Sequence, residues 1–222
     1  MSLVTIQGNA SGTGTLTVTS PNTNSSYTLT LPAATTTFVG TDATQTLTNK
    51  TLTSPTITGA VVSTMASSVI TPGTAVASTS GTSIDFTSIP SWVKRITVMF
   101  DSVSLSGSDS FLIQIGDSGG LETTGYNGGG ARFGATAIAG ATFTTGFGFN
   151  NSTAACLYSG SVVLTNVTGN TWSASGALGG SATVFANILG GSKTLSAQLD
   201  RVSVTRTGTD TFDAGTINIL YE

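Results

Sequence analysis

Only 8% of the 222 residues are charged, seven Lys plus Arg against ten Asp plus Glu, so the net charge is −3 and the surface has little to oppose association. Nucleic-acid binding is disfavoured because basic residues adjoin only at Lys94-Arg95, and chemistry that needs a histidine base is excluded because the chain has no histidine. A hydrophobic fraction of 38% with ten Phe still supplies a core and argues against general disorder.

The segment Met1-Ser-Leu-Val-Thr-Ile-Gln7 has no basic region followed by an apolar run, and no window reaches the ~18 apolar residues of a membrane span. Neither signal-peptide export nor membrane insertion is expected. Two short strands follow, one with Leu16 and Val18 on a face and one with Tyr27, Leu29 and Leu31, joined by the turn-rich Ser20-Pro-Asn-Thr-Asn-Ser-Ser26. A hairpin this small is marginal alone and needs a partner surface.

Residues 46–60 read TLTNK-TLTSP-TITGA, three five-residue units of Thr-aliphatic-Thr plus a two-residue break. Leu47, Leu52 and Ile57 recur at an odd spacing, which would place them on alternate faces of one flat strand. Short β pieces separated by turns instead return each aliphatic residue to a common axis, and Val61, just after the third unit, is grouped with them. Such a winding closes no core by itself, so these four residues are expected to pack against other copies of the chain. The run from Val61 to Ile70 is read as extended rather than helical. Thr71-Pro-Gly-Thr74 then marks a boundary.

Beyond it, nine strands are predicted: 82–87, 93–100, 111–115, 141–149, 155–164, 171–175, 184–188, 196–205 and 216–221. In the second, Ile96, Val98 and Phe100 share a face; in the last, Ile217, Ile219 and Tyr221 do. Helical periodicity is sustained nowhere. The fold expected is all-β: an N-terminal extended β-rich shaft or attachment segment over 1–72, then a jelly-roll-like antiparallel β-sandwich over 73–222.

The run from Asp42 through the pentads to Ile57 resembles a segment of tail-fibre and other virion proteins of tailed bacteriophages. Pro90-Ser-Trp-Val-Lys-Arg-Ile-Thr-Val-Met-Phe100 and the stretch from Gly208 to Tyr221 are similar to pieces of the C-terminal domain of phage fibre-like proteins. The resemblance implies a virion structural component assembled in the host cytoplasm, with threefold symmetry, no catalytic residue and no cofactor. A short tail fibre that displays a receptor-binding sandwich is the leading expectation. A head fibre or capsid decoration protein is the alternative, and a polysaccharide depolymerase ranks below both. Partners implied are a homotrimer, other tail or capsid proteins through the N-terminal region, and a host-surface glycan or protein.

Candidate chemistry is thin. Gly116-Asp-Ser-Gly-Gly120 matches the nucleophile segment of chymotrypsin-like proteases, but the missing histidine leaves its serine without a base, and the string reads as a turn. Asp109, Asp117 and Glu122 flank one predicted strand and read as turn residues before they read as a glycosidase pair, whose carboxyl separation sequence cannot give. No metal-binding pattern occurs. The glycine-rich run 116–134 is expected to be a long, mobile surface loop in which Glu122, Tyr126 and Arg132 could meet a sugar or protein. Trp92 and Trp172 are expected in the core ahead of any ligand role, and Cys156 as a buried thiol.

Overall fold

The computed structural model describes residues 11–14, 17, 22–26, 51, 70–151, 153–154, 156–181 and 185–222. The chain divides into two units, Met1–Ala60 and Val61–Glu222, and the architecture below belongs to the second. Leu47, Leu52, Ile57 and Val61, and the strands expected around Leu16 and Leu29, lie outside the described residues.

All regular structure among the described residues is β. In chain order the strands are β1 (Thr71–Pro72), β2 (Val76–Ala77), β3 (Ile84–Phe86), β4 (Arg95–Leu105), β5 (Phe111–Asp117), β6 (Gly120–Leu121) and β7 (Asn127–Phe133). Then come β8 (Ile138–Phe143), β9 (Phe147–Phe149), β10 (Tyr158–Thr168), β11 (Thr171–Gly180), β12 (Phe185–Thr194), β13 (Arg201–Arg206) and β14 (Phe212–Tyr221). A long antiparallel sheet runs β1-β14-β4-β10-β11-β12-β7-β8, with β2 also on β14; a shorter one runs β3-β13-β5-β6, with β9 also on β5. The chain passes repeatedly between the sheets, at β4 to β5 and β13 to β14 among other places, whereas β10-β11-β12 is a meander within the long sheet.

Alternation explains how the sheets face each other. Ile96, Val98 and Phe100 of β4, Val162 and Leu164 of β10 and Ile217 and Ile219 of β14 turn inward, and all are buried. Opposite them stand Ile84 and Phe86 of β3, Ile113 and Ile115 of β5, and Val202 and Val204 of β13. At one end of the core Phe111 stacks on Phe149 (4.8 Å between ring centres) and meets Phe100, Tyr158 and Phe212 edge-on or tilted at 5.5–6.3 Å. These rings join strands of both sheets, and rings at such separations add to the free energy of their buried area.

The β4–β5 and β13–β14 corners are built alike. Ser106-Gly-Ser-Asp-Ser-Phe111 matches Thr207-Gly-Thr-Asp-Thr-Phe212 position for position. The Asp109 backbone N–H donates to the Asp210 carboxylate and the Asp210 N–H to the Asp109 carboxylate, each at 2.8 Å. Ser106 N–H donates to Thr211 O and Thr207 N–H to Ser110 O in the same reciprocal manner. A Cβ on Gly107 would sit 2.3 Å from an Asp210 oxygen, and one on Gly208 would sit 2.3 Å from an Asp109 oxygen. The interlock therefore requires both glycines.

Thr71-Pro72 forms an edge strand paired with Tyr221 and Leu220, where a proline costs no ladder bond, while the element expected to end there lies outside the described residues. Two expectations are corrected. The run 116–134 is not one long loop: it holds the end of β5, β6 and the whole of β7, which is paired on both sides. Low β-propensity is overridden there by close packing, since a Cβ on Gly130 would lie 2.6 Å from the Gly148 carbonyl oxygen. Trp92 is 49% exposed, against Tyr221, while Trp172 and Cys156 are buried as expected.

Candidate binding surface

Glu122, Tyr126 and Arg132 do not form a recognition loop. Tyr126 is buried; its hydroxyl accepts from the Ile115 N–H (2.8 Å) and donates to the Glu122 carbonyl (2.9 Å), and burial pushes it well above the usual phenol range. No face of that ring is open to a sugar. Glu122 lies just after β6, where its carboxylate pairs with the buried Lys193 ammonium (2.5 Å) and accepts from the Ser196 N–H (2.6 Å). Lys193 also stands 5.6 Å over the Tyr126 ring. Arg132, in β7, registers with the buried Asn187 and so belongs to the inward side of the long sheet.

The carboxylates near β5 act as braces. Asp117 is buried at the end of β5, accepting from Ser196 Oγ (2.6 Å) and the Gly119 N–H (2.8 Å), and these bonds hold its carboxyl below the ordinary value. Glu122 is lowered likewise, first by its bond from Lys193. Ser196 thus links two ionised carboxylates and ties the β5–β6 turn to the chain after β12. Gly116-Asp-Ser-Gly-Gly120 is that turn, with Ser118 exposed at its tip. A glycosidase acid needs a carboxyl held protonated, and both carboxyls here are shifted the opposite way. Asp109 is taken up in the corner interlock. Among the described residues no three His, Cys, Asp or Glu side chains gather as a metal site.

The outer face of the long sheet is the feature the sequence analysis missed. One row across it runs Met99, Ser161, Ala177, Ile188, Ala131, Gly140, and the next runs Thr97, Val163, Ser175, Gly190, Gly129, Thr142. From β10 to β8 this face carries no charge: the two charged residues of those five strands, Arg132 and Lys193, fall on the inward rows. Exposed apolar side chains punctuate it, with Ile188 at 47%, Phe133 at 40% and Ile138 at 70%. A shallow hollow of about 730 Å³ lies over β7, β8 and β12. Sequence period alone could have flagged the alternation in β11 and β12, but which rows align follows only from register.

No protein-family model, characterised protein or solved structure matches the chain. The surface therefore has to be read from its own chemistry. A flat, neutral face of Gly, Ala, Ser and Thr offers backbone and methyl contacts rather than the convergent polar groups that orient a small ligand. It suits a broad protein surface.

Proposed function

We propose that the chain is a non-enzymatic structural protein of a bacteriophage virion, a short tail fibre whose C-terminal β domain is displayed toward the host. What carries this reading is one conjunction: the TLTNK-TLTSP-TITGA run, similar to fibre proteins, precedes a β domain with a broad charge-free face. Both features call for other protein surfaces, and the carboxylates near β5 are committed to holding the fold. In this reading Leu47, Leu52, Ile57 and Val61 gather copies around a threefold axis, and the N-terminal region meets other virion proteins. A cell-surface glycan or protein is the target of the displayed domain.

The decisive experiment images virions carrying a gold label against the C-terminal domain and measures adsorption of the purified chain to host cells. Label at the tail tip with saturable adsorption is the expected result. Label over the capsid without adsorption would replace the fibre by a decoration protein, a role the uncharged face also favours because permanent packing needs no electrostatic steering.

A further inference from the structure

We infer that the outer face of the long sheet, over β10, β11, β12, β7 and β8, is where a second copy of this chain packs. The glycines of the two faces differ in the room around them. On the inward rows a Cβ would collide: 2.6 Å at Gly130, and 2.7 Å at Gly176 and at Gly191. On the outward rows Gly190, Gly140 and Gly179 would place a Cβ no nearer than 3.6, 3.8 and 4.0 Å to anything, and none of the three has a positive φ, whereas a Cβ on Gly129 would lie 3.1 Å from the Ala141 carbonyl oxygen. The fold therefore demands glycine on the inward rows and leaves it optional at Gly190, Gly140 and Gly179 outside. An optional glycine in a strand forfeits β-propensity and packing, and its use is the close approach of another backbone.

Charge and size choose the occupant. The face carries no charge between β10 and β8, while Arg95 and Asp101, both exposed on β4, flank it on one side. An uncharged centre beside a charged margin is the anatomy of a protein interface. With no charge to complement, its best match is an equally neutral surface, and the chain itself, only 8% charged, supplies one. Five strands at ~4.8 Å spacing and roughly nine residues at ~3.4 Å give a face of about 24 by 30 Å, roughly 700 Å² before relief is counted. That approaches the ~800 Å² each partner gives a standard-size interface. Ile188 sits on the central strand of the five, flanked in its row by Ala177 and Ala131. Around a threefold axis, three faces ~24 Å wide close a triangular prism whose walls stand ~7 Å from the centre, a gap that Ile188 side chains fill.

The placement rests on the proposed association of copies and not on host binding, so adsorption can fail without touching it. Two single variants of the full chain, Ser175→Cys on the face and Ser118→Cys on the exposed β5–β6 turn, are treated with a maleimide while mass is measured by sedimentation; Cys156 is buried. The Ser175→Cys thiol should react at least about tenfold more slowly than the Ser118→Cys thiol, in a species of multiple-chain mass, and Ile188→Asp should abolish that protection. Equal reaction rates overturn the proposal. So does protection in a species of single-chain mass, which would mean that another part of the same chain covers the face, and so does protection that survives Ile188→Asp.

Discussion

Lys193 shows how a charge is made tolerable in the sandwich. Its side chain is 7% exposed, with the ammonium paired with Glu122 and set over the Tyr126 ring. Removing one member of a buried pair strands the other, so Glu122→Ala should cost about 3 kcal/mol in denaturant unfolding. Lys193→Met should cost less, because it leaves only a partly exposed carboxylate that water can reach. Acid acts at the same place. Asp117 and Glu122 both have folded-state values below their ordinary ones, so their contribution is complete above about pH 4.5, the higher of the two ordinary values, and drains away as the pH falls through the depressed values. A thermal-melt series should show this acid limb, and Asp117→Asn combined with Glu122→Gln should flatten it. An unchanged limb would assign acid sensitivity to other carboxylates.

At the scale of elements, the sequence was most legible where strands alternate. Ile96-Thr-Val-Met-Phe100 and Ile217-Asn-Ile219 show an apolar residue at every second position, and the structure buries those residues. Strand β7 was illegible because its pattern is Asn127-Gly-Gly-Gly-Ala-Arg-Phe133: without side chains there is no periodicity to read, and only the approach of Gly148 and Ile188 explains the residue choice. The same blindness hid the candidate surface, since the residues that meet across β12 and β7 come from two stretches more than fifty residues apart in the chain. It also misplaced Tyr126, whose turn-rich neighbours suggest exposure while its hydroxyl closes two bonds to the main chain. Gly130→Ala tests the distinction between required and optional glycines. It should lower the melting temperature sharply, with a loss of about 1–3 kcal/mol from overpacking, whereas Gly190→Ala should leave the melting temperature of the isolated chain at low concentration nearly unchanged. Equal losses at the two sites would remove the basis for treating the outer row as available to a partner.

For the whole molecule, the proposed association has two candidate sources of different kinds. The pentads repeat an aliphatic residue every fifth position with no bulk around it, and the β domain offers a neutral plane. A domain with Phe111, Phe147, Phe149, Tyr158 and Phe212 all fully buried carries enough core to stand independently of whatever the pentads do. Association and folding should therefore separate by mutation. Leu47→Asp or Leu52→Asp places a carboxylate where copies are expected to meet, and burying an unpaired charge there is costly enough to disperse that contact. The expected outcome is a lower mass by sedimentation at micromolar concentration, with the near-ultraviolet circular dichroism of the buried aromatic cluster unchanged. If the aromatic signal collapses together with the mass, the β domain depends on assembly for its fold. If both stay at wild-type values, the pentads are not a contact between copies, and the plane of β10 to β8 remains as the surface that can hold them together.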